Sequence, residues 1–590
     1  MNGNPLPLWR PTVLLLAAAW LYGCGSAFER IDTRTNNLLA AASEALGADT
    51  IPPRAAWAVG EDPNAYRADA LHDYRPPTAN PAANQLRFTS DGDAESVVRR
   101  LDAYAGISLD AIEMTVNDAL IYATENAREY RFAEEDYLLE ALRLISERHL
   151  WGPRLFNDTS VEVIGIGEDD LFNSSVRLVN DLRVTQRLPY GGEITASVLA
   201  SVTRDLHEAV AGEDTQSLDV LFTLDIPLLR GAGWVARESL LQSERNVVYA
   251  ARTFERFRRQ FLVDITTDFL DLVISQQALR NTAANVTMLE GFEKREAALA
   301  EAGRTPPFEA AEAAQTTLRR RDQLNEQREI FRLTVDRFKV RIGMPEDQPV
   351  IIVASSPGLP VPAVSLDDAT RSAMNYRLDL QTRRDVIDDA RRGVNNSRND
   401  LLADLDLAAS AVPTGVGDDS TGVNFDLRDT TYRASIVFGL PIDRTIERSN
   451  LRQSQIDLER SVRDYERFRD TVAVEVRAAV RNIDRALFSM SLQEKNLEVS
   501  RLRLASIEAA PDRADARDRT TSATGLLDAQ DAYLQARRDV QVAILRYLLD
   551  SGQLRVDHDG SLRPLLGMAI REDEPFDYGN LEAAPAGQPQ

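Results

Sequence analysis

The sequence predicts an α+β membrane protein in which long antiparallel α-helical coiled-coil hairpins carry four β-strands per protomer. Three observations lead there. Short segments of strict apolar/polar alternation lie next to segments of helical period that run for about 35 to 70 residues. The strand-then-helix pattern occurs twice along the 590 residues. Beyond the first two dozen residues, no apolar run reaches the roughly 18 residues of a membrane-spanning helix. Any later entry into a bilayer therefore requires a closed β-barrel.

The N-terminus reads as an export signal. Met1–Arg10 is short and polar, and Thr12–Leu21 is an apolar run of signal-peptide length. Leu21-Tyr22-Gly23-Cys24 follows directly and resembles a bacterial lipobox, in which the cysteine thiol is lipidated and becomes the mature N-terminus. Gly23 fits that motif, while Tyr22 is bulkier than usual. Ordinary cleavage after Gly25-Ser26-Ala27 is the alternative. Ser26 is not the Asp that favours inner-membrane retention. Cys24 is the sole cysteine, so there is no disulfide framework. Residues 1–23 are assigned to the signal peptide and 24–107 to a flexible, Pro-rich linker, marked by Pro52-Pro53 and Pro76-Pro77.

The first repeat, 108–345, opens with a helix from Leu109 to His149. In Val176–Leu188, Leu178, Leu182 and Val184 share a face opposite Arg177, Asp181 and Arg183. Pro189-Tyr190-Gly191-Gly192 interrupts this pattern, and Glu193–Val202 resumes it on even-numbered positions. That parity suits one long kinked strand, with a hairpin as the alternative. Ser217–Ile226 alternates again, and Pro227 ends it. The period then changes from 2 to 3.6. A helix is expected from Ala232 to Ala302, with Phe254, Phe257, Phe261, Ile265, Phe269 and Leu272 forming a narrow stripe. Gly303-Arg304-Thr305-Pro306-Pro307 turns the chain into a second helix that ends at Gly343.

The second repeat, 346–553, follows the same plan. A helix over 365–399 precedes two alternating strands, one through Leu401–Leu407 and one through Tyr432–Leu440. Pro441 closes the second strand, and helices are expected over 444–510 and 525–551, with a turn at 511–524 between them. Residues 554–590 read as an acidic, disordered tail. At an offset of 211, Arg237–Arg258 falls on Arg448–Arg469 with nine identities in 22 positions, among them Glu255/Glu466, Arg256/Arg467, Phe257/Phe468 and Arg258/Arg469. The chain thus reads as a tandem duplication.

Composition removes several classes of function. The net charge is −24, and basic residues are mixed with acidic ones throughout. Nucleic-acid binding, which needs a basic face, is not expected. His72, His149, His207 and His558 lie far apart, without metal-ligand spacing. Gly231-Ala232-Gly233-Trp234-Val235-Ala236 fits a dinucleotide fingerprint, but it opens a helix of about 70 residues instead of a βαβ unit. No cofactor and no enzymatic activity are expected.

Four strands cannot close a barrel, but three copies supply twelve, which can. Thin apolar seams on long polar helices suit side-by-side packing within such an assembly. Phe222, Leu224, Tyr432 and Phe438 would then face lipid, and Asp219, Thr223, Asp225 and Arg433 the lumen.

Three runs carry a family resemblance: Asp225-Ile226-Pro227-Leu228-Leu229-Arg230-Gly231, Gly439-Leu440-Pro441-Ile442-Asp443 and Leu526-Leu527-Asp528-Ala529-Gln530. With the duplication, they resemble TolC-like outer-membrane efflux proteins over residues 109–553. A lipidated start is similar to the lipoprotein branch of that family. The resemblance implies a homotrimer with a 12-stranded barrel in outer-membrane lipid and an α-helical tunnel crossing the periplasm. It also implies docking to a periplasmic adaptor (membrane fusion) protein and an inner-membrane transporter, with passive export of small molecules or ions.

The resemblance assigns several positions. Asp528 aligns with an acidic residue at the periplasmic constriction, and Asp531 could widen that ring. Gly525 stands where the family carries a second acid, so the pair is incomplete. The alternative for Asp528 is a helix-start acid stabilised by the dipole. Gly303, Arg304, Thr305, Thr524 and Gly525 mark candidate adaptor-contact turns, with simple turn chemistry as the alternative. Pro227, Gly231 and Pro441 mark the strand-to-helix junctions. The rival reading of the whole chain is a periplasmic coiled-coil scaffold or adaptor without a pore.

Overall fold

The computed structural model describes residues 24–46, 112–168, 171–205, 215–355, 358–363, 365–417, 430–509, 516–557 and 560–570. The fold is α+β. The signal peptide and most of the predicted linker lie outside the described residues. Residues Cys24–Leu46, at the start of the expected flexible linker, form a helix, α1, in which Thr35 Oγ1 donates to the Ile31 carbonyl at 2.9 Å and Leu39 is buried. The chain divides into two compact units, each drawing segments from both sequence repeats.

The first unit (1–42, 137–251 and 381–466) holds one antiparallel sheet. Its strands are β2 (Arg154–Glu168), β3 (Leu171–Arg187), β4 (Glu193–Asp205), β5 (Thr215–Pro227), β7 (Asp404–Gly417) and β8 (Thr430–Gly439), paired in that order. The count of four strands is therefore corrected to six. Residues 189–192 make a hairpin, not a kink: Arg187 is paired with Glu193, and Leu188 N–H donates to Gly192 O at 3.0 Å. Glycine is required there. Gly192 has φ +86°, and a Cβ on it would sit 1.8 Å from the Asp225 carbonyl oxygen.

The additional strand β2 lacks clean alternation because Asn157 and Thr159 occupy its apolar face. Asn180 of β3 satisfies both, donating to Asn157 Oδ1 at 2.9 Å and to Thr159 Oγ1 at 2.7 Å. Such cross-strand pairs stabilise a sheet by roughly 0.2–1 kcal/mol each.

With α1, parts of four further helices complete this unit: α3 (Arg128–Leu150), α4 (Glu238–Glu301), α7 (Leu378–Asn399) and α8 (Thr445–Ala509). Their seams here are polar. Arg392 binds Glu238 at 3.1 Å, Tyr249 Oη donates to Asp389 Oδ2 at 2.6 Å, and Ser397 and Ser454 hydroxyls meet at 2.7 Å.

The second unit (43–136, 252–380 and 467–590) is mainly helical. It contains α2 (Val116–Asn126), α5 (Pro307–Ile342), α6 (Leu366–Tyr376), α9 (Ala516–Asp550) and the remaining lengths of the long helices. Short parallel strands β1 (Ile112–Met114) and β6 (Val350–Ile352) pair. The predicted stripe is the core. Phe261, Ile265, Phe269 and Leu272 are buried, and Tyr130 packs on Phe254 and Phe261 with ring centroids 5.8 and 5.6 Å apart. Each fully buried ring or branched chain contributes about 1.5–3 kcal/mol.

One arrangement occurs twice in this unit. The first predicted helix breaks at Ala127, between α2 and α3, and the 365–399 helix breaks at Arg377, between α6 and α7. Gly343 packs on the first break and Gly552 on the second. A Cβ would lie 2.2 Å from Asn126 O or 2.8 Å from Tyr376 O. The predicted disordered tail is also corrected. Strands β9 (Leu554–Val556) and β10 (Leu562–Pro564) pair, Leu554 and Val556 are buried, and Arg258 Nη2 donates to the Val556 carbonyl at 2.9 Å. Residues 571–590 lie outside the described residues.

Candidate functional site

The sheet is the first candidate. Residues opposed in adjacent antiparallel strands share a face. One row runs Leu155, Val184, Ala196, Phe222, Ala411, Tyr432 across all six strands. The adjacent row on the other face runs Arg154, Thr185, Thr195, Thr223, Ser410, Arg433. Phe222, Leu224, Tyr432 and Phe438 therefore share one face, and Asp219, Thr223, Asp225 and Arg433 the other, as expected. The apolar face is open: Phe222 is 48% exposed, Phe438 62%, Val163 72% and Tyr432 77%. An open apolar patch of this extent is foreign to a monomer standing in water.

The charged face carries its own pairs. Arg183 of β3 bridges to Asp158 of β2 at 2.8 Å and to Asp181 at 3.1 Å. All six strands, at 10 to 17 residues, reach the 9–11 residues or so that cross a bilayer. No helix among the described residues is long and apolar enough to do the same, which bears on helices alone.

The strand-to-helix junctions follow β5 and β8. Pro227 ends β5, and Gly231 turns the chain at φ +75°. Its N–H donates to Asn399 Oδ1 at 2.7 Å, and Asn399 Nδ2 donates to Leu229 O at 3.2 Å. Asn399, the last residue of α7, is a junction residue that sequence reasoning missed, since a lone Asn at a helix end gives no hint of a partner in the other repeat. At the second junction Arg444 reaches Pro441 O at 3.1 Å and Leu401 O at 2.8 Å. Trp234 and Ile442, which follow the two junctions, are exposed.

The second candidate is the acidic pair on α9. Asp528 is exposed, while Asp531, one turn on, is partly buried and accepts from Asn281 Nδ2 of α4 at 3.1 Å. Burial pushes the Asp531 carboxyl above the ordinary carboxylate range, and the Asp528 charge adds to the rise; the Asn281 bond and Arg320 oppose it. Thr524, expected at the end of a turn, lies with Gly525 inside α9, which begins at Ala516. Gly303, Arg304 and Thr305 do form a turn, with Gly303 at φ +70° and Arg304 N–H on Leu299 O at 2.9 Å. Cys24 opens α1. Among the described residues, no three His, Cys, Asp or Glu side chains gather as a metal site.

No protein-family model matches the sequence, and no curated protein gives a significant match. Solved structures do match. A CusC structure, whose study concerns folding and transmembrane channel formation, aligns at TM-score 0.57 and 12% identity over 75% of this chain and 93% of CusC. The outer-membrane channel OprN aligns at 0.55 and 12%, over 74% of this chain and 89% of OprN. The outer membrane protein VceC of Vibrio cholerae aligns at 0.55 and 13%, over 74% and 96%. The fold is that of outer-membrane channels. At 12–13% identity it is the fold that is shared, and not the individual side chains.

Proposed function

We propose that this chain is the outer-membrane channel component of a tripartite efflux or secretion system. Three copies close their sheets into one barrel in outer-membrane lipid, and the long helices line a duct on the periplasmic side. The single observation that carries this reading is the sheet with one open apolar face and one charged face, in an outer-membrane-channel fold. The apolar row through Phe222 and Tyr432 meets lipid, and the row through Thr223 and Arg433 meets water in the lumen. A protomer alone has no transport function on this reading. Export is passive, for small molecules or ions, and is driven by an inner-membrane transporter reached through a periplasmic adaptor.

Finer assignments belong to the same proposal. Cys24 is the lipid anchor, Asp528 and Asp531 ring the periplasmic constriction, and the Gly303–Thr305 turn meets the adaptor. The test is fractionation of the membranes together with gel migration before and after heating and particle size in detergent. An outer-membrane, heat-modifiable trimer is expected. A soluble periplasmic monomer would reject the duct in favour of a poreless scaffold or adaptor.

A further inference from the structure

In a three-fold barrel of four-stranded protomers, β4 would be the edge strand that meets β8 of the neighbouring copy. Here β4 has no free edge. β3 occupies it from Ser175 to Arg187, and β2 covers β3 from Leu171 to Thr185. The free edges are β2 and β8. We infer that β2 of one copy pairs with β8 of the next, so that the trimer closes an eighteen-stranded barrel. This inference rests on the trimeric duct proposed above.

Three geometric facts support it. With six strands in antiparallel order, β2 and β8 run in opposite directions, so the junction between copies is itself antiparallel and the ladder continues without a break. The β2–β3 hairpin follows the two-faced pattern of the rest of the sheet. Leu155, Val161 and Val163 lie on the apolar face and are exposed, and Arg154, Asp158 and Glu162 lie on the charged one. It is thus built to cross the same bilayer.

The third fact is register. Within one copy, the row starting at Arg154 ends at Arg433. Faces match between copies only if Arg433 meets an even-numbered residue of β2. All ten residues of β8 find partners on β2 only when Arg433 sits opposite Ser160, Glu162 or Ile164. With a rise of about 3.3 Å per residue and about 4.8 Å between strands, these offsets tilt the strands by about 35°, 43° and 49°. Closed barrels tilt by roughly 35–45°, which selects Ser160 or Glu162. Full pairing of the edges and a normal barrel tilt therefore coincide. At such tilts the barrel is about 35 Å across between backbones, half as wide again as one of twelve strands.

The test uses the full chain in outer membranes. Two double variants are made, Ser160→Cys with Arg433→Cys and Glu162→Cys with Arg433→Cys, and each is oxidised. One of them should give covalent dimers and trimers on a denaturing, reducing-agent-free gel, and neither single variant should. Imaging of the unmodified trimer in detergent by electron cryomicroscopy should count eighteen strands, and that reading does not depend on how the variants fold. A twelve-stranded trimer overturns the inference and leaves the duct standing. A chain that is soluble and monomeric overturns both.

Discussion

The Arg519 guanidinium grips the Glu296 carboxylate with both side chains buried, joining the first turns of α9 to the last turns of α4. Removing one member of such a pair takes away a main compensating charge in a poorly solvated site, at a cost of about 3–5 kcal/mol. Glu296→Gln or Arg519→Met should therefore lower the thermal midpoint of the detergent-solubilised protein markedly. The double variant should recover part of the loss. Midpoints for the parent, both singles and the double give the coupling directly.

Gly192 and Gly233 both sit at positive φ, but only one is crowded. Gly192→Ala sets its methyl against the Asp225 carbonyl, whereas a Cβ on Gly233 meets nothing within 4 Å. Left-handed backbone alone costs an alanine about 1–2 kcal/mol. Gly233→Ala should lose only that, while Gly192→Ala should pull the β3–β4 hairpin away from β5. The yield of heat-modifiable trimer should follow the order parent, Gly233→Ala, Gly192→Ala. Equal yields for the two variants would contradict the close approach.

Asp531 offers a pH test. Burial raises its pKa in the folded protein, so the native state holds this proton more tightly than the unfolded chain does. Its unfavourable effect on stability is therefore present at neutral pH and disappears as pH falls below the ordinary carboxylate range. Asp531→Asn keeps an acceptor for Asn281 and removes the titration. The variant should melt above the parent at pH 7 and level with it at pH 3. A constant difference across that range would assign the effect to packing.

Asp528 is exposed beside it. If three copies ring the constriction, their carboxylates favour cations and resist anions. Asp528→Ala should weaken the block of single-channel conductance by multivalent cations, with little change in thermal stability. Unchanged block would return Asp528 to the role of a helix-start acid.

The long helices and the two faces of the sheet were legible in the sequence because each rests on a sustained period. What was missed had no local signal. β2 was hidden by Asn157 and Thr159, which are tolerable on an apolar face only because Asn180, on another strand, bonds both. The 189–192 hairpin was left open because Arg187 pairs with Glu193: even positions fall on the same face in a hairpin or a kink. Residues 516–524 read as a turn because Thr520, Thr521, Ser522 and Thr524 are weak helix formers. They are held helical by distant partners, with Asn285 on the Ala523 carbonyl at 2.8 Å and Glu296 on Arg519. The C-terminal strands depend on Arg258, about 300 residues earlier in the chain.

The glycines seated on the two helix breaks also bear on how the chain folds. Asn126 and Gly343 belong to the first repeat, Tyr376 and Gly552 to the second. Each contact closes a loop contained in its own repeat, and the entropy lost in the two closures differs by only about 0.2 kcal/mol. The N-terminal repeat can therefore tie its loop while the rest of the chain is still emerging into the compartment where it folds. The two repeats then join where β5 meets β7, where β1 meets β6, and where Glu296 meets Arg519. The slow, long-range step in maturation is thereby reduced to the joining of two repeats whose own loops are already closed.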